Sequence, residues 1–201
     1  MKDEMGILRE VATTASAHGS NALSELVKAK VSLKLPEMAE VSMDQLTPKG
    51  DPSQFVMSVQ SRILNGLDGQ ILLVLEEKSA FKLVSLSYSA KTGTSSGFHT
   101  EMGLSVLKEI GNVVMGSYVG ALSQFINEVI VPSIPTLISG PLGEIVTAAV
   151  SNIEDKSIFM IDTVFESVEQ EIQGSIYMAL TRNGRIKIQN ACKKILDSLE
   201  D

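Results

Sequence analysis

The stretch LKEIGNVVMGSYVGALS, Leu107 to Ser123, has a worn copy in the same chain, LREVATTASAHGSNALS, Leu8 to Ser24. Laid without gaps they align at an offset of 99 (109 − 10), pairing Leu107 with Leu8, Lys108 with Arg9, and Glu109 with Glu10. Ala121-Leu122-Ser123 meets Ala22-Leu23-Ser24, and Asn112 falls opposite Thr13. Helical spacing of Ile7, Leu8, Val11, Leu23, Leu26 and Val27 predicts one long helix from about Met1 to Lys28. Leu107, Ile110, Val114, Leu122 and Phe125 predict its counterpart over Thr100–Asn127.

The similarity continues beyond these helices. GQILLVL (Gly69–Leu75) matches GSIYMAL (Gly174–Leu180) at an offset of 105 (174 − 69), which also sets Phe81-Lys82-Leu83 against Ile186-Lys187-Ile188. FVMSVQ (Phe55–Gln60) and SIFMID (Ser157–Asp162) are both short runs of strand composition. The change of offset predicts an insertion of about six residues in the second half. The first half predicts strands over Lys30–Glu37 continuing to Met43, Gln54–Ser61 and Gly69–Glu76, then a helix over Lys78–Ser89. KTGTSSG, Lys91–Gly97, reads as the linker. The second half predicts a strand over Val129–Ile138, a Gly/Pro-punctuated segment, a helix over Leu142–Asn152, a hairpin of Ser157–Val168 with Glu171–Thr181, and a helix over Gly184–Leu199.

The fold expected is therefore α+β: residues 1–201 as one internally duplicated, pseudo-two-fold domain. Its repeats span about 1–90 and 98–201, sharing a mixed or antiparallel sheet with two long helices on one face. Each half alone would have a marginal core.

Composition narrows the function. With 44% hydrophobic and 20% charged residues the chain is of ordinary globular type, and with 4% aromatics and no Trp its interior falls to aliphatic residues and Met. A net charge of −7 without a Lys/Arg cluster argues against nucleic acid. The apolar region Val129–Val150 is broken by Pro132, Pro135 and Pro141, so no membrane insertion is expected. The opening MKDEMGILRE has no apolar core of a secretory signal, and the chain reads as cytoplasmic. Cys192 is the one cysteine, which excludes an internal disulfide and a thiolate metal site. His18 and His99 have no carboxylate or Cys at ligand spacing, so no metal is expected. ISGPLGE (Ile138–Glu144) lacks the Lys and Ser/Thr of a phosphate loop, and Glu166, Glu169 and Glu171 read as a solvated turn.

Glu109 and Asn112 are three residues apart, which puts both on one helix face, and Ser105 extends that strip by a turn. Gly111, Gly116 and Gly120 interrupt the same helix at about 1 kcal/mol each relative to Ala. Such a cost suggests close approach of another backbone, and the other long helix, rich in Ala, Ser and Gly, is the expected neighbour.

KEIGN followed by GSYVGALS, with a second Glu-led helix upstream ending NALS, resembles the CheC family of bacterial and archaeal chemotaxis phosphatases, which includes CheX and FliY. The resemblance covers most of the chain. It implies a pseudo-two-fold α+β domain and dephosphorylation of the response regulator CheY, with Glu109 and Asn112 as the catalytic pair. A neutral amide can orient a hydrolytic water, as a Gln does in GTPases, while Glu109 pairs with a lysine of the receiver. No cofactor is then needed from this chain, Mg²⁺ being expected on the partner receiver. Members with two working sites have Asn where this chain has Thr13, so Glu10 and Thr13 are expected to form a degenerate second site and the enzyme to have one active site. The rival is a non-catalytic adaptor that binds a receiver or the deamidase CheD. A switch-complex subunit of FliY/FliM type would be expected to carry a further domain. Relatives of CheX type dimerise, so monomer and homodimer both stay open.

Overall fold

Two long helices, α1 (Glu4–Val27) and α3 (Glu101–Ile126), end in the same way. Each is followed by a residue in the left-handed region, Lys28 at φ 51° and Asn127 at φ 54°, a helix-ending conformation that a non-glycine residue adopts at some cost. The serine of each ALS triplet secures that end. Ser24 accepts from the Val31 N–H at 3.1 Å, and Ser123 donates to the Glu128 carbonyl at 2.6 Å. Both bonds tie the chain beyond the helix back to its last turn, where the Ser24 and Ser123 carbonyls accept from the Ala29 and Glu128 N–H groups.

The computed structural model describes residues 4–46, 48, 50–92 and 101–200. After α1 come β1 (Ser32–Leu33), β2 (Glu37–Ser42), a 3₁₀ turn (Met43–Gln45), β3 (Phe55–Asn65), β4 (Gly69–Glu76) and α2 (Glu77–Thr92). After α3 come β5 (Val131–Pro132), β6 (Thr136–Pro141), α4 (Leu142–Val150), β7 (Ser157–Ser167), β8 (Ile172–Leu180) and α5 (Arg182–Glu200).

The eight strands form one sheet in the order β1-β7-β8-β4-β3-β5, with β2 also on β7 and β6 also on β3. Every ladder is antiparallel, so the parallel component left open by the sequence does not occur among the described residues. Strands exchange between the halves: β2 pairs with β7 from Glu37–Asp162 to Ser42–Ser157, while β6 pairs with β3 from Phe55–Pro141 to Gln60–Thr136. The central ladder between the halves, β4 on β8, runs from Gly69–Leu180 to Leu75–Gly174 and centres on Leu72–Tyr177.

The core has two layers. Strand residues Val59, Ile71, Leu73, Ile161 and Met178 face α1, α2, α3 and α5, all buried. Val56, Leu72, Val74, Met160 and Tyr177 face the other way, against Leu142, Ile145 and Val146 of α4. Each fully buried aliphatic side chain contributes about 1.5–3 kcal/mol. Both long helices thus lie on one sheet face, as expected, and α4, with Met43, Leu46 and Ile153 beside it, covers the other. Between α1, α3 and β7 sits a polar node in the larger layer. Ser16 Oγ and Thr163 Oγ1 are 3.0 Å apart, and the fully buried Tyr118 stands beside them.

Several boundaries differ from the sequence reading. The strand expected from Lys30 to Met43 is interrupted between Leu33 and Glu37, and its counterpart over Val129–Ile138 between Pro132 and Thr136. Pro36 and Pro135 lie in these gaps, where a residue without an N–H cannot continue a ladder. The Gly/Pro-punctuated segment continues strand β6: Ser139, Gly140 and Pro141 all pair with β3. Lys91 and Thr92, taken as linker, are the last residues of α2, and residues 93–97 lie outside the described residues.

The six-residue insertion is also split. β1 and β5 begin 99 apart (131 − 32), as do β2 and β6 (136 − 37); β3 and β7 begin 102 apart (157 − 55). The full 105 is reached only beyond the hairpin turns.

Candidate functional site

Gly111 decides how α3 presents its outer face. It is buried, and a Cβ built there would lie 2.5 Å from Val59 Cγ1 of β3. Successive helical residues rotate by about 100°, so Glu109, two positions earlier, points away from the sheet, and Asn112 emerges on the flank. Both are exposed, and among the described residues neither side chain has a hydrogen-bond or ion-pair partner. Residues seven apart return to nearly the same direction, so the exposed Ser105 stands two turns before Asn112. By the same rule Met102, exposed, stands two turns before Glu109.

The close-approach reading of the glycines needs correction. Gly111 accommodates the sheet, not α1, and Gly116 and Gly120 are exposed with no atom within 4 Å of an added Cβ. Contact between the long helices instead uses a glycine of α1: an added Cβ at Gly19 would meet the Val114 carbonyl oxygen at 3.4 Å.

The second pair is arranged differently. Glu10 is exposed at the edge of a groove lined by Ile7, Val11 and Thr14 of α1, Ala121 and Phe125 of α3, and Ile195 of α5. Thr13 is half-buried, and its hydroxyl donates to the Arg9 carbonyl at 2.7 Å. A side chain turned back on its own helix in this way has no donor left to offer outward.

Other residues noted in the sequence do no chemistry at this face. Cys192 is 1% exposed and closed off from any substrate. His18 is exposed on α1, and His99 lies outside the described residues. Glu166 pairs with Lys34 at 3.5 Å and Glu171 with Lys78 at 3.2 Å, which accounts for two acids of the turn. Among the described residues no group of three His, Cys, Asp or Glu is placed to hold a metal ion, and no helix is long and apolar enough to cross a membrane.

Sequence reasoning missed the apolar residues that flank the pair. Met102 and Leu104 are exposed at the start of α3, and Met5, 99 positions before Leu104, is exposed on α1. It also missed that the 99 offset carries through Leu35-Pro36 and Ile134-Pro135, whose first residues are 72% and 89% exposed. The signal was available as large apolar residues lying off the buried helical stripe, and as a Pro at one spacing after each motif.

Residues 102–139, which hold Glu109 and Asn112, match the CheC-like family model. The chain is 24% identical over 183 residues to the CheY-P phosphatase CheC of Bacillus subtilis (strain 168), covering 88% of both chains. In this segment, and in its fold, the chain is similar to the CheC/CheX/FliY family. Its fold is that of FliY from Thermotoga maritima, with a TM-score of 0.71 at 19% identity over 96% of this chain and 98% of the other. A CheX–CheY–BeF₃–Mg²⁺ complex from Borrelia burgdorferi is also similar, with a TM-score of 0.56, 16% identity, and coverage of 90% of this chain and all of that one (100%). The matched segment holds Glu109 and Asn112, both exposed on the second long helix.

Proposed function

We propose that this chain accelerates the dephosphorylation of a phospho-aspartyl receiver of CheY type in chemotaxis signalling, working in the cytoplasm. The observation that carries this reading is the pair Glu109 and Asn112, exposed side by side on a rigid helix without partners among the described residues. A CheC relative named as a CheY-P phosphatase and a CheX relative in complex with CheY support it.

In this mechanism Glu109 pairs with a lysine of the receiver and sets the register of the two proteins. Asn112 holds a water in line with phosphorus through its amide. The water oxygen bonds to phosphorus and the bond to the receiver's aspartyl oxygen breaks. Inorganic phosphate leaves, the carboxylate is restored, and the water's proton goes to phosphate or solvent. The receiver's own Mg²⁺ and lysine neutralise charge on the phosphoryl group, so this chain supplies no metal. Its part is orientation, worth about a hundredfold in rate, or a few kcal/mol.

The two sequence halves act as repeats of one ancestral unit in this reading, with Glu10 and Thr13 as the worn site. The test is phosphate release from an acetyl-phosphate-charged CheY-type receiver. Acceleration by the wild-type chain and its loss in Asn112→Ala are expected. Tight binding without faster release would instead mark an adaptor for a receiver or for CheD.

A further inference from the structure

We propose that Lys108 fixes the orientation in which a receiver docks on α3, by meeting the carboxylate side of the receiver's phosphorylation site. The inference rests on the reading of Glu109 and Asn112 as the receiver site. It adds a residue that selects one way round for the partner.

Lys108 is exposed, and among the described residues its side chain has no hydrogen-bond or ion-pair partner. Lys34, Lys78, Arg185 and Lys187, by contrast, each pair with a glutamate. The helix itself offers Lys108 no anion. Leu104, Ser105, Gly111 and Asn112 hold the positions three and four away where a carboxylate could reach it. Glu109 is its neighbour in sequence, and adjacent helical residues do not face each other. A rotation of about 100° per residue puts Lys108 about 40° round the helix from Asn112, with Glu109 about 60° round the other way. Cation and carboxylate thus stand at one level of α3, and the amide lies one turn on, between them in direction. Cβ atoms three or four positions apart are about 5–6 Å from each other, so one small partner surface touches all three groups.

The partner's surface carries both signs of charge as well. Its phosphoryl group is anionic, and a Mg²⁺ ion beside such a group is held through carboxylates as well as phosphate oxygens. Its lysine meets Glu109. With Asn112 over phosphorus and that lysine on the Glu109 side, Lys108 faces the carboxylates. A receiver turned about would set lysine against Lys108 and carboxylates against Glu109, and like charges brought together reject that arrangement. The chain's net charge of −7 opposes the approach of any anionic surface, and Lys108 is the cation at the point of contact.

The experiment is phosphate release by the full chain over a range of concentrations of a CheY-type receiver charged with acetyl phosphate, at low and high NaCl. Wild type is compared with Lys108→Gln, Lys108→Glu and Lys108→Arg, all of which suit an exposed helix position and keep the fold. Lys108→Glu is expected to raise KM roughly tenfold while kcat holds, and Lys108→Gln to raise it less. Lys108→Arg, which keeps the charge, is expected to keep the wild-type KM. Added salt should raise the wild-type KM and narrow its distance from that of Lys108→Glu. Provided the wild-type chain accelerates release, any of four results would overturn this inference alone. These are an unchanged KM in Lys108→Glu, a KM in Lys108→Arg as high as in Lys108→Glu, a difference that salt does not narrow, or a loss of kcat at constant KM. Absence of acceleration by the wild-type chain would overturn the proposed function with it.

Discussion

Asn112 and Thr13 occupy equivalent positions, and their difference is chemical. An amide offers a donor and an acceptor at the end of a two-carbon reach, and among the described residues Asn112 spends neither. Thr13 carries one oxygen on a branched β-carbon and donates to the Arg9 carbonyl at 2.7 Å. Asn112→Ala is therefore expected to lower assisted phosphate release by about a hundredfold. Thr13→Ala should leave that release unchanged within error, and a halved rate would show that the first pair still works. Thr13→Asn is expected to raise turnover per chain, read in the same assay. The pair was legible in the sequence because spacing of three fixes a shared helix face. The back-bond of Thr13 was not, because a Thr hydroxyl can turn outward or back and only the local packing decides.

At the level of elements, glycines of one helix separate by what lies opposite them. Gly111 faces the branched side chain of Val59, with three of its carbons within 3.0 Å of an added Cβ. Val59 is itself 1% exposed and has nowhere to move. Gly111→Ala is expected to lower the thermal midpoint, at a cost of about 1–3 kcal/mol for overpacking net of the propensity gain. Gly116→Ala meets open space and should raise it, by about 1 kcal/mol of helix propensity. Circular dichroism melts of the two variants check both signs. The sequence showed that the helix carries a cost at each glycine. It did not show which glycine rests on the sheet, since that depends on the rotation of α3 about its axis, set by its buried Leu107, Ile110 and Val114.

Over the whole molecule, strand exchange makes the halves one cooperative unit. β2 completes the ladder of β7, and β6 that of β3, so either half alone would lose an outer strand from its hairpin. Calorimetry is expected to show a single transition whose measured and van't Hoff enthalpies agree; two resolved transitions would contradict the interlocked sheet. Alkaline pH offers a second test. Burial, with the Asp162 carboxylate beside it, pushes the Tyr177 hydroxyl up to about 12, a hydrogen bond with Ser175 opposing part of the shift. An unfolded Tyr ionises near 10, so between about pH 10 and 12 the unfolded chain holds fewer protons and stability falls as pH rises. Burial raises Tyr118 in the same sense. Tyr177→Phe should therefore make the decline of the melting temperature above pH 10 shallower without removing it.

What the sequence determined by itself was local and periodic. The long helices, the hairpin strands, the repeated order of elements and the Glu-x-x-Asn face all follow from spacing within one segment. The tertiary structure alone decided which half's outer strands complete which hairpin, which sheet face α4 covers, and that Pro36 and Pro135 interrupt strands that Gly140 and Pro141 do not. Pairing partners lie about a hundred residues away, and an edge strand's composition suits either hairpin equally well. The choice between them is made by the joint burial of both sheet faces, a property that belongs to no single segment.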